Sequence, residues 1–139
     1  MNPNLEIFYC LNNQISGTIA LSGNPALYKL DCSQNELDSL DLSHNPLLEE
    51  LWCQENSLDY INISGLAELH DLHFFQNQIE GIDLSTNTAL SFMQCGFNPA
   101  DSLDLSYNMN LQTVHFTQMP NLGKVCVSQL PVPFEYTTD

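Results

Sequence analysis

Basic residues are almost missing from this sequence. Lys29 and Lys124 are the two lysine and arginine residues of the chain, against 17 aspartate and glutamate residues, and the net charge is −15. Proteins that bind nucleic acid or an anionic membrane use clusters of lysine and arginine to neutralise phosphate groups. The charge therefore argues against both classes of partner.

Long apolar segments and helical periodicity are missing as well. No stretch approaches the roughly 18 apolar residues of a membrane-spanning helix, and no leader peptide is visible at Met1. No segment keeps apolar residues at three- and four-residue spacing over the ten or more positions that a helix would need. We therefore expect little or no helix and no membrane insertion.

A repeated pattern of leucine and asparagine fills the chain instead. Residues 24–44 read NPALYKLDCSQNELDSLDLSH, and the phrase L-x-x-L-x-L-x-x-N occurs twice between Leu27 and Asn45, with cysteine in place of one leucine. The three following segments of 21 residues and a preceding segment of 22 keep the same skeleton. In L-x-L the two apolar side chains point to the same side of a short strand, so stacked units would share a continuous core.

This pattern resembles the leucine-rich-repeat family, in the short nested form of ten and eleven residues found in secreted proteins of Bacteroidetes-like bacteria and in internalin-like proteins. The resemblance implies a mainly β, right-handed solenoid of about six coils, with parallel strands on both broad sides. We predict that the chain is a single domain. Its coils are expected to span residues 2–23, 24–44, 45–65, 66–86, 87–107 and 108–129, with a C-terminal cap at 130–139. Because nothing before the first coil resembles a polar cap, we also expect further coils upstream or self-association through this end.

Two columns of residues are predicted to support the coils from inside. An asparagine recurs where each first strand ends and is expected to satisfy backbone groups of the turn: Asn13, Asn35, Asn56, Asn77 and Asn98. Cysteine recurs at an inward position that phenylalanine fills in the other coils, which favours buried free thiols over disulfide bonds: Cys10, Cys32, Cys53 and Cys95. Cys126 falls on the outward side and is expected to be the most reactive thiol.

Aromatic side chains collect at the outward positions of the first strands. The predicted ligand-binding residues on this side are Tyr9, Asp31, Trp52, His73, Phe75, Phe92, Gln94 and His115. Aromatic residues are favoured binding anchors, although a β surface prefers them in any case. The spacing of His73 and His115, two coils apart, is too wide for one metal ion.

The resemblance implies a secreted or cell-surface protein. We therefore predict a non-enzymatic extracellular recognition or adhesion module that binds a protein or a glycan on its aromatic-bearing first sheet, without a cofactor. The alternative is a structural spacer array that has no ligand of its own. Because the chain carries no leader, its parent protein is expected to be longer.

Acidic residues collect on the opposite face. Asp83 and Asp104 hold the same outward position in neighbouring coils and are expected to lie about 5 Å apart. Carboxylates of retaining glycosidases have this separation, but an exposed ladder offers no cleft and no reason for one acid to keep its proton, so no catalytic residue is predicted. A weak calcium site at Asp83 and Asp104 is the alternative to a solvated acidic face.

Salt should stabilise this protein. Neighbouring carboxylates about 5 Å apart repel each other by roughly 0.8 kcal/mol in water, and the repulsion accumulates along the columns. We expect the melting temperature to rise with sodium chloride concentration. A further rise in calcium chloride at equal ionic strength would reveal a calcium site, whereas identical curves would show that screening alone acts.

Overall fold

The computed structural model describes residues 2–127 and the backbone of Glu135–Thr137. This part of the chain contains thirteen short strands and no helix. The strands are β1 Ile7–Tyr9, β2 Ser16–Gly17, β3 Lys29–Asp31, β4 Glu36–Leu37, β5 Ser39–Asp41, β6 Glu50–Trp52, β7 Tyr60–Asn62, β8 Asp71–His73, β9 Phe92–Gln94, β10 Ser102–Asp104, β11 Thr113–His115, β12 Lys124–Cys126 and β13 Glu135–Thr137. None of the described residues forms a helix that could cross a membrane.

Seven strands form one parallel sheet, in the order β1-β3-β6-β8-β9-β11-β13. Phe8 pairs with Leu30, Leu30 with Leu51 and Leu51 with Leu72, so the same position of each coil meets its counterpart in the next. Parallel neighbours need a crossover connection, and the rest of each coil supplies it. The prediction of a mainly β solenoid with parallel strands is confirmed.

The second side of the solenoid is paired less regularly than the first. It carries three separate two-stranded ladders, β2-β4, β5-β7 and β10-β12. No strand is assigned to residues 79–84 in the fourth coil, where Gly81 takes the position at which Tyr60 begins β7 and Ser102 begins β10. Glycine weakens a strand because it brings no side chain to pack and loses much entropy on ordering.

The predicted cap at 130–139 lies outside the described residues except for the backbone of Glu135–Thr137. That backbone pairs in parallel with β11, where Val114 is opposite Tyr136. The first sheet therefore continues for one strand beyond the predicted coils.

The core runs along the solenoid axis between the two sides. The central residue of each inner strand of the first sheet is fully buried, with 0% exposure for Leu30, Leu51, Leu72, Met93 and Val114. The residues on either side of each of these face outward, which is the alternation expected for L-x-L. Burying one such side chain contributes about 1.5–3 kcal/mol, so stacking the coils is the main source of stability.

Ladder asparagines tie each turn to the preceding coil. Nδ2 of Asn56 donates to the carbonyl oxygens of Cys53 (3.1 Å) and Gln54 (3.3 Å) in its own coil and of Cys32 (3.1 Å) in the preceding one. Its Oδ1 accepts a bond of 3.0 Å from the backbone N–H of Leu37. Asn35, Asn77 and Asn98 repeat this set of bonds, whereas the amide of Asn13 donates to carbonyls of its own coil.

The residue before each ladder position adopts a left-handed backbone conformation. Its φ is 54–55° at Asn12, Gln34, Glu55, Gln76, Phe97 and Gln118. This conformation costs a residue other than glycine roughly 1–2 kcal/mol. At the first five of these positions the hydrogen bonds of the adjacent asparagine offset that cost, because each contributes about 0.5–1.5 kcal/mol; Met119 follows Gln118.

The asparagines of a second column are more deeply buried, and within residues 2–127 only the Nδ2 groups of their side-chain amides form hydrogen bonds. Asn45, Asn87 and Asn108 have 0% exposure, and each donates two bonds from Nδ2 to carbonyl oxygens 21 and 24 residues earlier in the chain. Among the described residues, no group donates to their Oδ1 atoms. These side chains thus join the coils at the other edge but retain an unpaired acceptor, which costs stability.

The inward cysteines form a column interrupted by phenylalanine. Cys32, Cys53 and Cys95 are fully buried free thiols, whereas Cys10 is half-buried because the first coil has a described neighbour on one side only. The prediction that Cys10 is buried like the others is therefore wrong. Burial raises the pKa of the Cys95 thiol to about 12 and raises the pKa values of Cys32 and Cys53 as well.

Thiol labelling should separate these cysteines. Only the thiolate attacks a labelling reagent, and a raised pKa together with burial keeps Cys32, Cys53 and Cys95 protonated and inaccessible near pH 8. We expect Cys10 and the half-buried Cys126 to react in the folded protein, and all five to react after denaturation in urea. Mass spectrometry of labelled peptides gives the site of each reaction. Fast labelling of Cys53 in the folded state would contradict the register of the core.

Candidate recognition surface

The register of the first sheet arranges its outward side chains in two columns, which we call the first face. One column contains Ile7, Lys29, Glu50, Asp71, Phe92 and Thr113. The other contains Tyr9, Asp31, Trp52, His73, Gln94 and His115. Adjacent strands are about 4.8 Å apart, so each outward side chain lies beside its counterpart in the next coil.

Four rings on the first face contact one another in sequence; we call Trp52, His73, Phe92 and His115 the ring row. The centroids of Trp52 and His73 are 5.9 Å apart with the rings stacked, and those of His73 and Phe92 are 5.1 Å apart. Phe92 then meets His115 edge to face at 5.5 Å. Because Phe92 belongs to the neighbouring column, the ring row zigzags across the sheet over four strands.

Gln94 links the two histidines of the ring row. Its Oε1 lies 2.9 Å from Nδ1 of His73, and its Nε2 lies 3.1 Å from Nδ1 of His115. An amide oxygen can only accept and an amide nitrogen can only donate. In this orientation of the amide, His73 carries a proton on Nδ1 and neutral His115 carries its proton on Nε2, whereas the amide turned round would reverse both.

Asp71 places a negative charge beside His73. Its Oδ1 lies 2.8 Å from Nε2 of His73, but the two atoms are not aligned as a hydrogen bond. We treat the contact as charge proximity, because hydrogen bonding also requires a favourable angle. Together with the Gln94 bonds, it restricts the orientation of the His73 ring.

Lys29 lies beside Trp52 at the other end of the ring row. Nζ of Lys29 lies 2.8 Å from Oε1 of Glu50 and 5.8 Å from the centroid of the Trp52 ring. The hydrogen bond to Glu50 raises the pKa of Lys29, so the side chain is cationic at neutral pH. A cation over an indole ring is held by the negative electrostatic potential of the ring face.

The predicted binding residues are brought together in part. The structure groups Trp52, His73, Phe92, Gln94 and His115 around the ring row. Tyr9 lies two coils away from Trp52 with 55% exposure. Oδ1 of Asp31 accepts bonds from the hydroxyl (2.6 Å) and the N–H (3.0 Å) of Ser33, so this oxygen is already engaged in a turn.

Phe75 lies beyond the end of β8 and lines a small pocket that the sequence did not reveal. The pocket has a volume of about 210 Å³ and is lined by Phe75, Gln94, Gly96, Phe97, His115 and Thr117. Gly96 and Phe97 were not among the predicted binding residues. Both residues differ from the equivalent residues of the other coils, and this is the signal in the sequence. Gly96 stands where the other coils have larger side chains, and the exposed Phe97 stands where they have Asn, Gln or Glu.

Known proteins resemble this chain in structure. No protein-family model matches the sequence, and no curated protein matches it. Among solved structures, the chain is similar to the functional domain of InlJ from Listeria monocytogenes, which is described as including a cysteine ladder. The two share 27% sequence identity with a TM-score of 0.81, and the match covers 91% of this chain. This chain has the leucine-rich-repeat fold of the internalin type. It spans 30% of the InlJ chain.

The second side of the leucine-rich-repeat solenoid carries acids that are engaged in turns. The N–H groups of Ser43, Ser85 and Ser106 donate to Asp41, Asp83 and Asp104 at 2.9–3.1 Å. Hydrogen bonds from these serines lower the pKa of each carboxyl group. Within residues 2–127, no three His, Cys, Asp or Glu side chains gather as a metal site requires, so the calcium alternative has two carboxylates and no third acidic ligand.

Ser43 of this column contacts both an acid and a histidine. Its hydroxyl donates to Oδ1 of Asp41 at 2.8 Å and lies 3.2 Å from Nδ1 of His44. A nucleophilic serine gives its proton to the histidine, whereas this hydroxyl gives it to the carboxylate. Ser64 bonds Asn62 in the same way at 2.7 Å, which identifies the contact as a turn device of the repeat.

The tautomers of the two linked histidines test the Gln94 bridge. In ¹⁵N NMR spectra at about pH 8, where histidine is normally neutral, we expect the Nδ1–H form for His73 and the Nε2–H form for His115. Gln94→Leu should change the tautomer populations of both histidines, whereas Gln14→Leu, at an exposed position of the first coil, should change neither. The opposite pair of tautomers would show that the Gln94 amide is turned round.

Proposed function

We propose that this chain is a non-enzymatic recognition module that binds an extracellular protein or glycan on its first face. The observation that carries the proposal is the ring row, four aromatic and imidazole rings in continuous contact on one face of the sheet. An internalin-type leucine-rich-repeat fold is typical of protein-binding surface proteins rather than of enzymes. That resemblance also supports the proposed extracellular location.

The ring row has the properties of a preformed contact surface. His73 is held by Gln94 on one side and lies against Asp71 on the other, and Trp52 is stacked on it. Side chains that are already ordered lose little entropy when a ligand binds, so more of the contact energy appears as affinity. Large rigid rings of this kind dominate measured binding energies at protein interfaces.

The charge of the protein narrows the choice of partner. With a net charge of −15, the chain repels acidic ligands and favours neutral or basic ones. Lys29 does not offset this on the first face, because it is paired with Glu50. A neutral glycan or a basic to neutral protein surface therefore fits better than nucleic acid or an anionic lipid.

Truncation of the ring row tests the proposal. Trp52→Ala combined with Phe92→Ala removes the two largest rings while leaving the buried strand residues in place. Tyr60→Ala combined with Tyr107→Ala is the matched control, because both tyrosines are 57% exposed and lie outside the first sheet. Each protein is applied to arrays of extracellular protein domains and of neutral glycans, and its melting temperature is measured in parallel.

We expect the ring-row variant to lose at least tenfold in binding to the ligands that the unchanged protein recognises, a loss of about 1.4 kcal/mol or more. The control variant should bind as before, and surface truncations should alter stability by about 0.5 kcal/mol. Equal binding by both variants would reject the first face as the recognition surface. Absence of any reproducible ligand on the arrays would favour a spacer array.

A further inference from the structure

The pocket beside the ring row is lined by the one glycine of its column. Gly96 takes the position that is occupied by Ser33, Gln54, Phe75 and Thr117 in neighbouring coils. A Cβ atom on Gly96 would lie 2.5 Å from the backbone oxygen of Thr117, so no other residue fits without displacing the next coil. Thr117 thus occupies the space in which a side chain of residue 96 would begin, and Gly96 lies in a notch that is also lined by Phe75 and Thr117.

The walls of the notch combine aromatic surface with several hydrogen-bonding groups. Phe75 and Phe97 supply rings, and Phe97 is 52% exposed. Gln94 uses one N–H of its amide on His115 and retains a second, while the tautomer of His115 leaves a proton on Nε2. Both His115 and Thr117 line the pocket.

A volume of about 210 Å³ admits one ring or one side chain, since pockets for drug-sized ligands start at about 300 Å³. An aromatic side chain would use at most one hydrogen-bonding group of the pocket and leave the others buried without partners, which costs affinity. A lysine or arginine side chain has only hydrogen-bond donors. It would therefore leave the N–H groups of Gln94 and His115 without acceptors. A carboxylate or sulfate is repelled by the charge of the chain.

On the basis of the proposed function, we infer that this pocket is a subsite for a single neutral pyranose ring of a glycan. A pyranose has an apolar C–H face that packs on Phe75 and Phe97. It also has a rim of hydroxyl groups that accept from His115 and Gln94 and both donate to and accept from Thr117. The ring row then lies beside this subsite along the same face.

Neighbouring coils provide a substitution that should preserve the fold. Phe97 has φ of 55°, and Gln34, Gln76 and Gln118 adopt nearly the same conformation at the equivalent position. Phe97→Gln therefore removes one wall of the pocket with a residue that this backbone already accepts elsewhere. Gln34→Ala, three coils away at the same exposed position, is the matched control.

Titration with simple sugars followed by NMR provides the test. The probes are methyl glycosides of glucose, galactose, mannose and N-acetylglucosamine. Sorbitol is the acyclic control, and N-acetyltyrosine amide represents an aromatic side chain. We expect at least one glycoside to give saturable shifts at the amides of Gly96 and Phe97 and at the imidazole of His115, with no such shift from sorbitol. Phe97→Gln should weaken that binding at least tenfold, whereas Gln34→Ala should leave it unchanged.

Three results would overturn the inference: no saturable shift with any glycoside, tighter binding of the tyrosine amide at the same amides, or glycoside binding that survives Phe97→Gln. The variant with Trp52→Ala and Phe92→Ala separates this inference from the proposed function, because neither residue lines the pocket. If array binding needs Trp52 and Phe92 but no glycoside binds at Gly96, the recognition function stands and the subsite is rejected. If a glycoside binds at Gly96 while array binding is unchanged in the Trp52→Ala and Phe92→Ala variant, the subsite stands and the ring row is rejected as the main binding site.

Discussion

The side-chain amide that follows each first strand is the interaction on which the other features of this chain depend. Each coil turns through a residue with φ near 55°, and the next residue, a ladder asparagine in five of the six coils, bonds the turn internally. From the second coil onward the same amide also bonds the preceding coil, which sets the height at which one coil stacks on another. A coil displaced by one residue would lose these bonds and expose its apolar side chains.

This constant register converts positions in the sequence into contacts on the surface. Adjacent parallel strands are about 4.8 Å apart, and aromatic rings interact favourably when their centroids are 4.5–7 Å apart. Rings at outward positions of neighbouring coils are therefore brought into contact range by the sheet itself, as the distances of 5.1–5.9 Å along the ring row show. The scaffold needs no loop or cleft to assemble an extended aromatic surface.

The polar groups of the two broad sides are used differently. On the second side, Asp41, Asp83 and Asp104 accept hydrogen bonds from the N–H groups of serines two residues later, and Asp41 also accepts one from Asn62 in the next coil. On the first face, Gln94 joins histidines from two other coils, so side chains of three successive coils are linked.

The sequence by itself determined the repeat, the mainly β fold, the inward positions and the side of the sheet on which the aromatic residues lie, because a period of two in each strand and of 21 in each coil decides which way a side chain points. It also indicated the ladder asparagines. Only the tertiary structure decided which outward residues meet, since contact between Phe92 and two histidines depends on rotamers as well as register. It also decided the half-buried state of Cys10, the loss of a strand at Gly81 and the notch at Gly96. These features depend on what an adjacent coil covers, crowds or leaves open, and a pattern read along one coil does not contain that information.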